Sequence, residues 1–306
     1  MQYCLYKLNF TTSVHIGTDN GANGLVSSEL TIHSDTLFSA LYIESLKFGD
    51  SERLLKLFSD GSLVVSDLLP FKDEEFYIPK PFCKMELNQD EAKDEDRKTA
   101  KKLKYIPASQ FECYLKSLKG LDSFDAKSVS SDIKSIATIS VRTRVALKGL
   151  EQSRPYYVGV TTFDKNCGLY LVIGFDNDES FELIQKLLIA LSHSGIGGKR
   201  TTGLGKFELD DVIYLDEPFT ESLEALSKML SAQSGIFMTL NTSLPDDNEL
   251  DTAVDNGYFQ LIRRGGYVQS FNYADIFYKK KELYVFGAGS CFKEKYQGII
   301  ADVSQN

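Results

Sequence analysis

Apolar and polar residues alternate from the first positions of the chain. In "YCLYKLNF", Cys4, Tyr6, Leu8 and Phe10 fall on one face, which predicts a strand over residues 3–10. A Gly- and Asn-rich stretch, "VHIGTDNGANGLVSSELTIH", then breaks the pattern. In "SDTLFSALYIESLK" the period lengthens, with Leu37, Phe38 and Leu41 at helical spacing and Ser34 or Asp35 in position to cap. "ERLLKLF" predicts a second helix ending at Asp60-Gly61. "SLVVSDLLPF" predicts a strand that stops at Pro70, and "YIPKPF" is extended because each proline turns its predecessor away from helix.

From residue 84 to about 135 the periodicity weakens into a charged insertion, with a short helical piece near "ASQFECYLKSL". Strand patterns return in "IATISVRTRVAL" and "PYYVGVTTF", which predict a long β-hairpin over residues 137–163. "GLYLVIGF" is almost wholly apolar, as a central strand is, and "SFELIQKLLIALSHS" is a helix with Ile184, Leu187, Leu188 and Leu191 on one side. A glycine-rich loop and the strand "GKFELDDVIYL" complete this part. "DEPF" (216–219) reads as a hinge to a smaller domain over residues 216–306, with one helix and four strand candidates: "GIFMTLN", "GYFQLIRRGGYVQS", "ELYVFGAGSCF" and "GIIADV". The order of elements in residues 1–215 suits an α+β, split βαβ or ferredoxin-like plan.

Composition bounds the function. The chain has 306 residues, 42% hydrophobic and 25% charged, which suits a soluble globular protein of two domains. No apolar run approaches the roughly 20 residues of a membrane span, and no signal peptide opens the chain, so a cytoplasmic protein is expected. The 5 cysteines are scattered without a C-x-x-C pair. They form no zinc framework, and Cys4, Cys167 and Cys291 read as small buried hydrophobes. The net charge of −9 lowers the odds of nucleic-acid binding, but local stretches carry their own balance. The run "NQDEAKDEDRKTAKKLK" supplies many of the acids as a solvated segment.

One such stretch is "SHSGIGGKRTTGLGKFEL", where 5 glycines surround Lys199, Arg200 and Lys206 with no acid before Glu208. It is not a phosphate-binding P-loop, because Arg200 follows Gly198-Lys199 and His193 stands where the first glycine belongs. A dinucleotide fingerprint beginning at Gly195 fails at Arg200 as well. The topology is also reversed: a helix enters the loop, and its negative C-terminal end repels phosphate. Two readings remain. One is a helix C-cap at Gly195 followed by a bend into the last strand. The other is a cradle of exposed amides and threonine hydroxyls for a nucleic-acid backbone. A plain helix-to-strand connection needs only about 2–6 residues, which favours the second.

This loop, between a helix and the last strand of a split βαβ domain, resembles the glycine-rich loop of the RAMP proteins of CRISPR systems. "VHIG", "HSDTLFSAL", "IPKP" and "GAGSCF…GIIADV" narrow the likeness to the fourth subunit of the type III-A (Csm) effector, a group that grips the 5′ handle of the guide RNA. The likeness runs over most of the chain and carries no motif in residues 84–135. It implies two ferredoxin-like (RRM-like) domains and a non-catalytic, cofactor-free subunit. Such a subunit binds the 5′ tag of the crRNA, the large polymerase/cyclase-like subunit and the backbone RAMP subunits. It also implies a thumb hairpin lying across the RNA, matched here by "SVRTRVALKGLEQSRPYYVGV".

The candidate RNA-binding residues follow from both lines. In the loop they are Gly195, Gly197, Gly198, Lys199, Arg200, Thr201, Thr202 and Gly203. On the hairpin, Arg142 and Arg144 share one strand face, and with Lys148 and Arg154 they give 4 cations against Glu151 alone. The polar outer face of an ordinary hairpin has the same pattern, and the resemblance favours RNA. Lys80, stiffened by Pro79 and Pro81, is a candidate phosphate contact. His15 and Gly17 in "VHIG" are taken as binding residues. The alternative makes the chain a metal-independent endoribonuclease acting on the crRNA precursor, with His15 or His193 as base. A protein-only interaction module is a third reading. His33, His193 and Asp35 at helix ends read as caps, and Arg263 and Arg264 in "LIRRGG" serve either RNA or a partner.

Overall fold

The computed structural model describes residues 1–18, 24–83, 94–146, 154–255, 257–268 and 278–305. Its centre is an antiparallel sheet built around β8 (Cys167–Phe175), every residue of which is buried. The first strand, β1 (Gln2–Phe10), pairs along β8 from Gln2 opposite Phe175 to Leu8 opposite Leu169. On the other side of β8 lie β2 (Leu63–Val65) and β3 (Leu69–Lys72). Two further strands, β4 (Glu75–Pro79) and β5 (Tyr105–Pro107), extend that side, while β9 (Phe207–Leu209) and β10 (Ile213–Tyr214) both pair with β1. Around β8, the last, first and second strands of the βαβ units take the positions of a split βαβ sheet.

Alternation along β8 explains both layers. Leu169, Leu171, Ile173 and Phe175 face α1 (Ser34–Phe48), α2 (Ser51–Ser59) and α6 (Asp178–Ser194). Tyr170 and Val172 face the opposite way, into a second core closed by Leu223 and Leu226 of α7 (Glu221–Leu230). A strand buried on both faces needs no polar positions, hence the unbroken apolar run.

Several expectations are corrected. "SLVVSDLLPF" is two strands, interrupted at Ser66-Asp67, and the second runs past Pro70 to Lys72. The break turns Asp67 inward, where its Oδ1 accepts the Ser34 amide at 2.8 Å and the Thr242 amide at 2.9 Å. Asp67 therefore caps the first amide of α1, which neither the Ser34 nor the His33 side chain does, while Asp35 Oδ1 accepts the Thr36 amide at 2.8 Å as a cap expected from the sequence. His193 lies exposed in the last turn of α6, and the Gly195 amide closes that helix on Leu191 O at 2.7 Å. The 84–135 region is more than a solvated insertion. Beyond α3 (Asp94–Lys102), β5 forms an edge of the main sheet, and α4 (Phe111–Leu118) and α5 (Ala126–Ile136) enclose a small core around Tyr114 and Val129. "GKFELDDVIYL" is divided between β9 and β10.

The expected hairpin is β6 (Ala137–Ala146) paired along its whole length with β7 (Arg154–Phe163). Beyond α7, β11 (Phe237–Met238) pairs with β14 (Cys291–Phe292), and β12 (Leu261–Arg264) pairs with β13 (Leu283–Phe286). A helix not foreseen from the sequence, α8 (Asp247–Val254), starts with a capping box of Asp246 and Glu249. "GIIADV" forms no strand. No described helix is long and apolar enough to cross a membrane. Among the described residues no cluster of His, Cys, Asp and Glu is placed to hold a metal.

Candidate nucleic-acid interface

The glycine loop is stitched to the segment after β1. Gly198 and His15 form a β-bridge, with the Gly198 amide donating to His15 O at 2.8 Å. The Ile196 amide donates to Gly205 O, and the Gly205 amide to Ser13 O, both at 2.9 Å. Val14 in turn bridges Thr161 on β7. The loop thus continues a ladder that starts at β6 and passes through β7 and residues 14–15.

This explains most of the glycines by close approach rather than by ligand binding. A β-carbon on Gly197 would lie 2.6 Å from His15 O, one on Gly198 2.5 Å from the His15 ring, and one on Gly205 1.9 Å from Ile196 O. Gly195 is buried, and its amide is committed to the helix end. The open cradle of amides expected from the sequence is therefore corrected. What the loop exposes is its tip, Lys199, Thr201, Thr202 and Gly203, and, just before β9, Lys206. The tip is folded as one 3-10 turn over Arg200–Thr202, with Thr202 Oγ1 donating to Lys199 O at 2.8 Å.

The tip meets the hairpin. Lys199 Nζ lies 5.2 Å from the ring centre of Tyr156, and Tyr156 stands opposite Arg144 in the β6–β7 register. Arg142, two pairs further along and on the same face, donates to Ser13 Oγ at 2.8 Å. Arg142 and Arg144 share their face with Val158 and Val160, which are buried against Leu204 of the loop. Loop and hairpin thus form one basic face around a half-exposed tyrosine. Arg154 begins β7 at the exposed end of the same ladder, and Lys148 lies outside the described residues. Tyr156 is not among the residues that the sequence singles out. Its signal is an aromatic two residues after Arg154, on the strand face that register pairs with Arg144.

His15 is held from one ring nitrogen. Its Nδ1–H donates to Gly159 O at 2.7 Å, so Nε2 is left as an acceptor beside Gly17. Burial pushes the imidazole below its ordinary value; the Gly159 bond opposes this and the Lys199 charge reinforces it. Arg200 points back into the protein, donating to Gly195 O at 2.9 Å.

Lys80 is placed elsewhere. Its ammonium donates to Ala100 O at 3.1 Å and Lys101 O at 2.8 Å, closing the C-terminal end of α3, where a cation is favoured by the helix dipole. Arg264 binds both oxygens of Asp35, at 2.9 and 3.0 Å, and Arg263 pairs with Glu282 at 3.5 Å. Burial alone pushes Asp35 up, yet Arg264 holds it below the usual carboxylate range.

A split βαβ sheet with a helix-to-strand glycine loop and a long basic hairpin defines a RAMP-type protein, and residues 7–208 match the RAMP superfamily. Residues 232–306 match the CRISPR Csm4 C-terminal domain. The chain is 33% identical over 288 residues to the CRISPR system Cms protein Csm4 of Mycobacterium tuberculosis, covering 94% of this chain and 88% of the relative. It is 30% identical over 310 residues to Csm4 of Streptococcus thermophilus, covering 99% and 93%. The chain belongs to the Csm4 family of the RAMP superfamily. Its fold is similar to a chain of the Csm3-Csm4 subcomplex of a type III-A CRISPR-Cas interference complex, with TM-score 0.62 at 20% identity over 99% of this chain and 96% of that one. It is also similar to a chain of a Csm1-Csm4 cassette in complex with cA4, with TM-score 0.58 at 18% identity over 96% and 87%.

Proposed function

We propose that this chain is a non-catalytic RNA-binding subunit of a type III-A CRISPR effector, anchoring the 5′ tag of the crRNA. In this reading it joins a Csm1-like large subunit to Csm3-like backbone subunits, as the partners named for its structural neighbours suggest. Residues 1–215 and 216–306 act as two ferredoxin-like units, with residues 137–163 as the thumb. The carrying observation is the meeting of Lys199 with Tyr156 opposite Arg144. An aromatic ring with cations on either side is what a single strand uses, the ring for a base and the cations for phosphates. Thr201 at the tip adds a hydroxyl donor for phosphate oxygens, the Thr202 hydroxyl being engaged on Lys199 O.

The endoribonuclease alternative has less support. A general base works best when poised near the operating pH, whereas burial makes His15 a weaker base than an ordinary imidazole. Among the described residues no carboxylate hydrogen-bonds His15 or His193.

The test is fluorescence anisotropy of a labelled tag RNA against the purified chain, without metal. The double variant Lys199→Ala/Arg144→Ala is expected to bind about tenfold or more weakly, with the RNA left intact. Unchanged affinity would overturn the assignment of the site. Metal-independent cleavage that disappears in His15→Ala would overturn the non-catalytic reading.

A further inference from the structure

Lys199 sits in a backbone conformation that few residues with a side chain accept. Its φ is +59°, in the left-handed region, and from there it opens the turn over Arg200–Thr202. Gly203 closes the same turn at φ +86°, where glycine meets no strain. Strain at a lysine persists only where the surroundings hold it, and it marks a place where direction matters. The direction here is toward the hairpin, where Lys199 Nζ lies 5.2 Å from the Tyr156 ring centre.

The residue that holds the turn is the next one. Arg200 is turned inward, and its Nη1 donates to Gly195 O at 2.9 Å, joining the turn to the residue that closes α6. A cation at that end of a helix meets the negative pole of its dipole. Glu44 of α1, only 1% exposed, supplies a counter-charge. Lys47 donates to both of its carboxylate oxygens, at 2.8 and 2.7 Å, and to Ser194 Oγ at 3.2 Å, so the end of α1 is tied to the last residue of α6. The Glu44 charge also reaches Arg200: burial pushes the guanidinium below its ordinary value, and Glu44 opposes that shift. A carboxylate is costly to bury unless cations answer it, and here the cations belong to the end of α1 and to the loop turn.

We propose that Arg200 is a positioning residue for RNA binding, with Glu44 as its counter-charge: it pins the turn so that Lys199 stays left-handed and faces Tyr156, and it touches no phosphate itself. The role in RNA binding rests on the reading of the Lys199–Tyr156 face given above, whereas the pinning of the turn stands without it.

Two measurements on the full chain keep these apart. The first is amide exchange in the free protein, followed by NMR. The Thr202 and Gly203 amides donate to Lys199 O at 3.0 Å and Arg200 O at 2.9 Å, and both are expected to exchange about tenfold faster in Arg200→Ala. The Gly198 and Gly205 amides, bound to His15 O and Ser13 O, are expected to keep their rates. Unaltered exchange at Thr202 and Gly203, or a rise at all four, overturns the anchor.

The second is anisotropy of labelled tag RNA across a KCl series. Arg200→Ala is expected to bind about tenfold more weakly and to flatten the salt slope by about 0.7, as the loss of Lys199 does, and Arg200→Ala/Lys199→Ala is expected to be no weaker than Lys199→Ala alone. Additive losses, with the slope flattened by about 1.4 in the double variant, would make Arg200 a phosphate contact and overturn the proposal. Glu44→Gln serves if Arg200→Ala does not fold, and its sign is diagnostic. Removing a carboxylate near bound RNA raises affinity by Coulomb repulsion relieved, whereas a loss of about threefold is expected here. Unchanged or tighter binding by Glu44→Gln overturns the counter-charge. A wild type that binds no tag RNA overturns the RNA reading, and the exchange rates then decide the anchor alone.

Discussion

At the scale of single residues, the glycine loop separates two roles that look alike in sequence. Gly205 and Gly203 both adopt positive φ, +76° and +86°. Only Gly205 is also pressed against backbone, with a β-carbon 1.9 Å from Ile196 O, whereas a β-carbon on Gly203 meets nothing within 4 Å. Gly205→Ala combines backbone strain with a clash that no side chain can relieve. It is expected to destabilise the chain by about 2–4 kcal/mol, against about 1 kcal/mol or less for Gly203→Asn, since Asn tolerates the left-handed region. Urea midpoints of the two variants check this. Equal losses would mean that the stitch to His15 and Ser13 does not hold the loop.

At the scale of elements, Asp67 joins three parts of the chain. Its Oδ1 receives the α1 start and the Thr242 amide, and its Oδ2 receives His33 Nδ1 at 2.8 Å. Burial pushes His33 down, but the Asp67 hydrogen bond and charge more than offset it, with Asp35 adding and Arg264 opposing, so the imidazole ends above its ordinary 6.5. A raised folded-state value means that the stabilisation is fully present below about pH 6.5 and is lost as pH rises through the folded value. His15 has the opposite sign: its folded value is depressed, so stability falls as pH drops below 6.5. The melting-temperature gap between the wild type and His33→Gln is therefore expected to shrink between pH 6 and pH 8. A gap that widens would contradict the ion pair.

The same residue shows where the sequence was legible. β1, β8, α1, α2, α6 and α7 follow from period, because each buries apolar residues at that spacing in the two main cores, and the β6–β7 hairpin follows from its alternation. The break at Ser66-Asp67 was not legible, since an aspartate inside an apolar run reads as an exposed alternation until its distant partners are known. Nor was the use of the loop glycines: a sequence counts five of them without saying that His15 and Ile196 fill the space around Gly197, Gly198 and Gly205. α5 was hidden by its polarity, "AKSVSSDIKSI", in which Val129 and Ile136 alone mark the fully buried large side chains.

At the scale of the whole molecule, the sheet face that an RRM-like domain offers to RNA is unavailable. Tyr170, Val172 and Leu5 lie under Leu223 and Leu226 of α7. The proposed RNA path follows the loop tip and the hairpin instead, whose cations stand in a chain of net charge −9. Screening decides whether that charge matters. At physiological salt the Debye length is about 8 Å, so acids on distant surfaces scarcely weaken a phosphate beside Lys199 or Arg144. Each cation that neutralises a phosphate of a single strand contributes about 0.7 to the slope of log affinity against log salt. With Arg144, Arg154 and Lys199 engaged, a slope near −2 is expected for tag RNA, and Lys199→Ala is expected to flatten it by about 0.7. Anisotropy titrations at a series of KCl concentrations measure both numbers. A steep slope that Lys199→Ala leaves unaltered would mean that the strand crosses the molecule away from Tyr156.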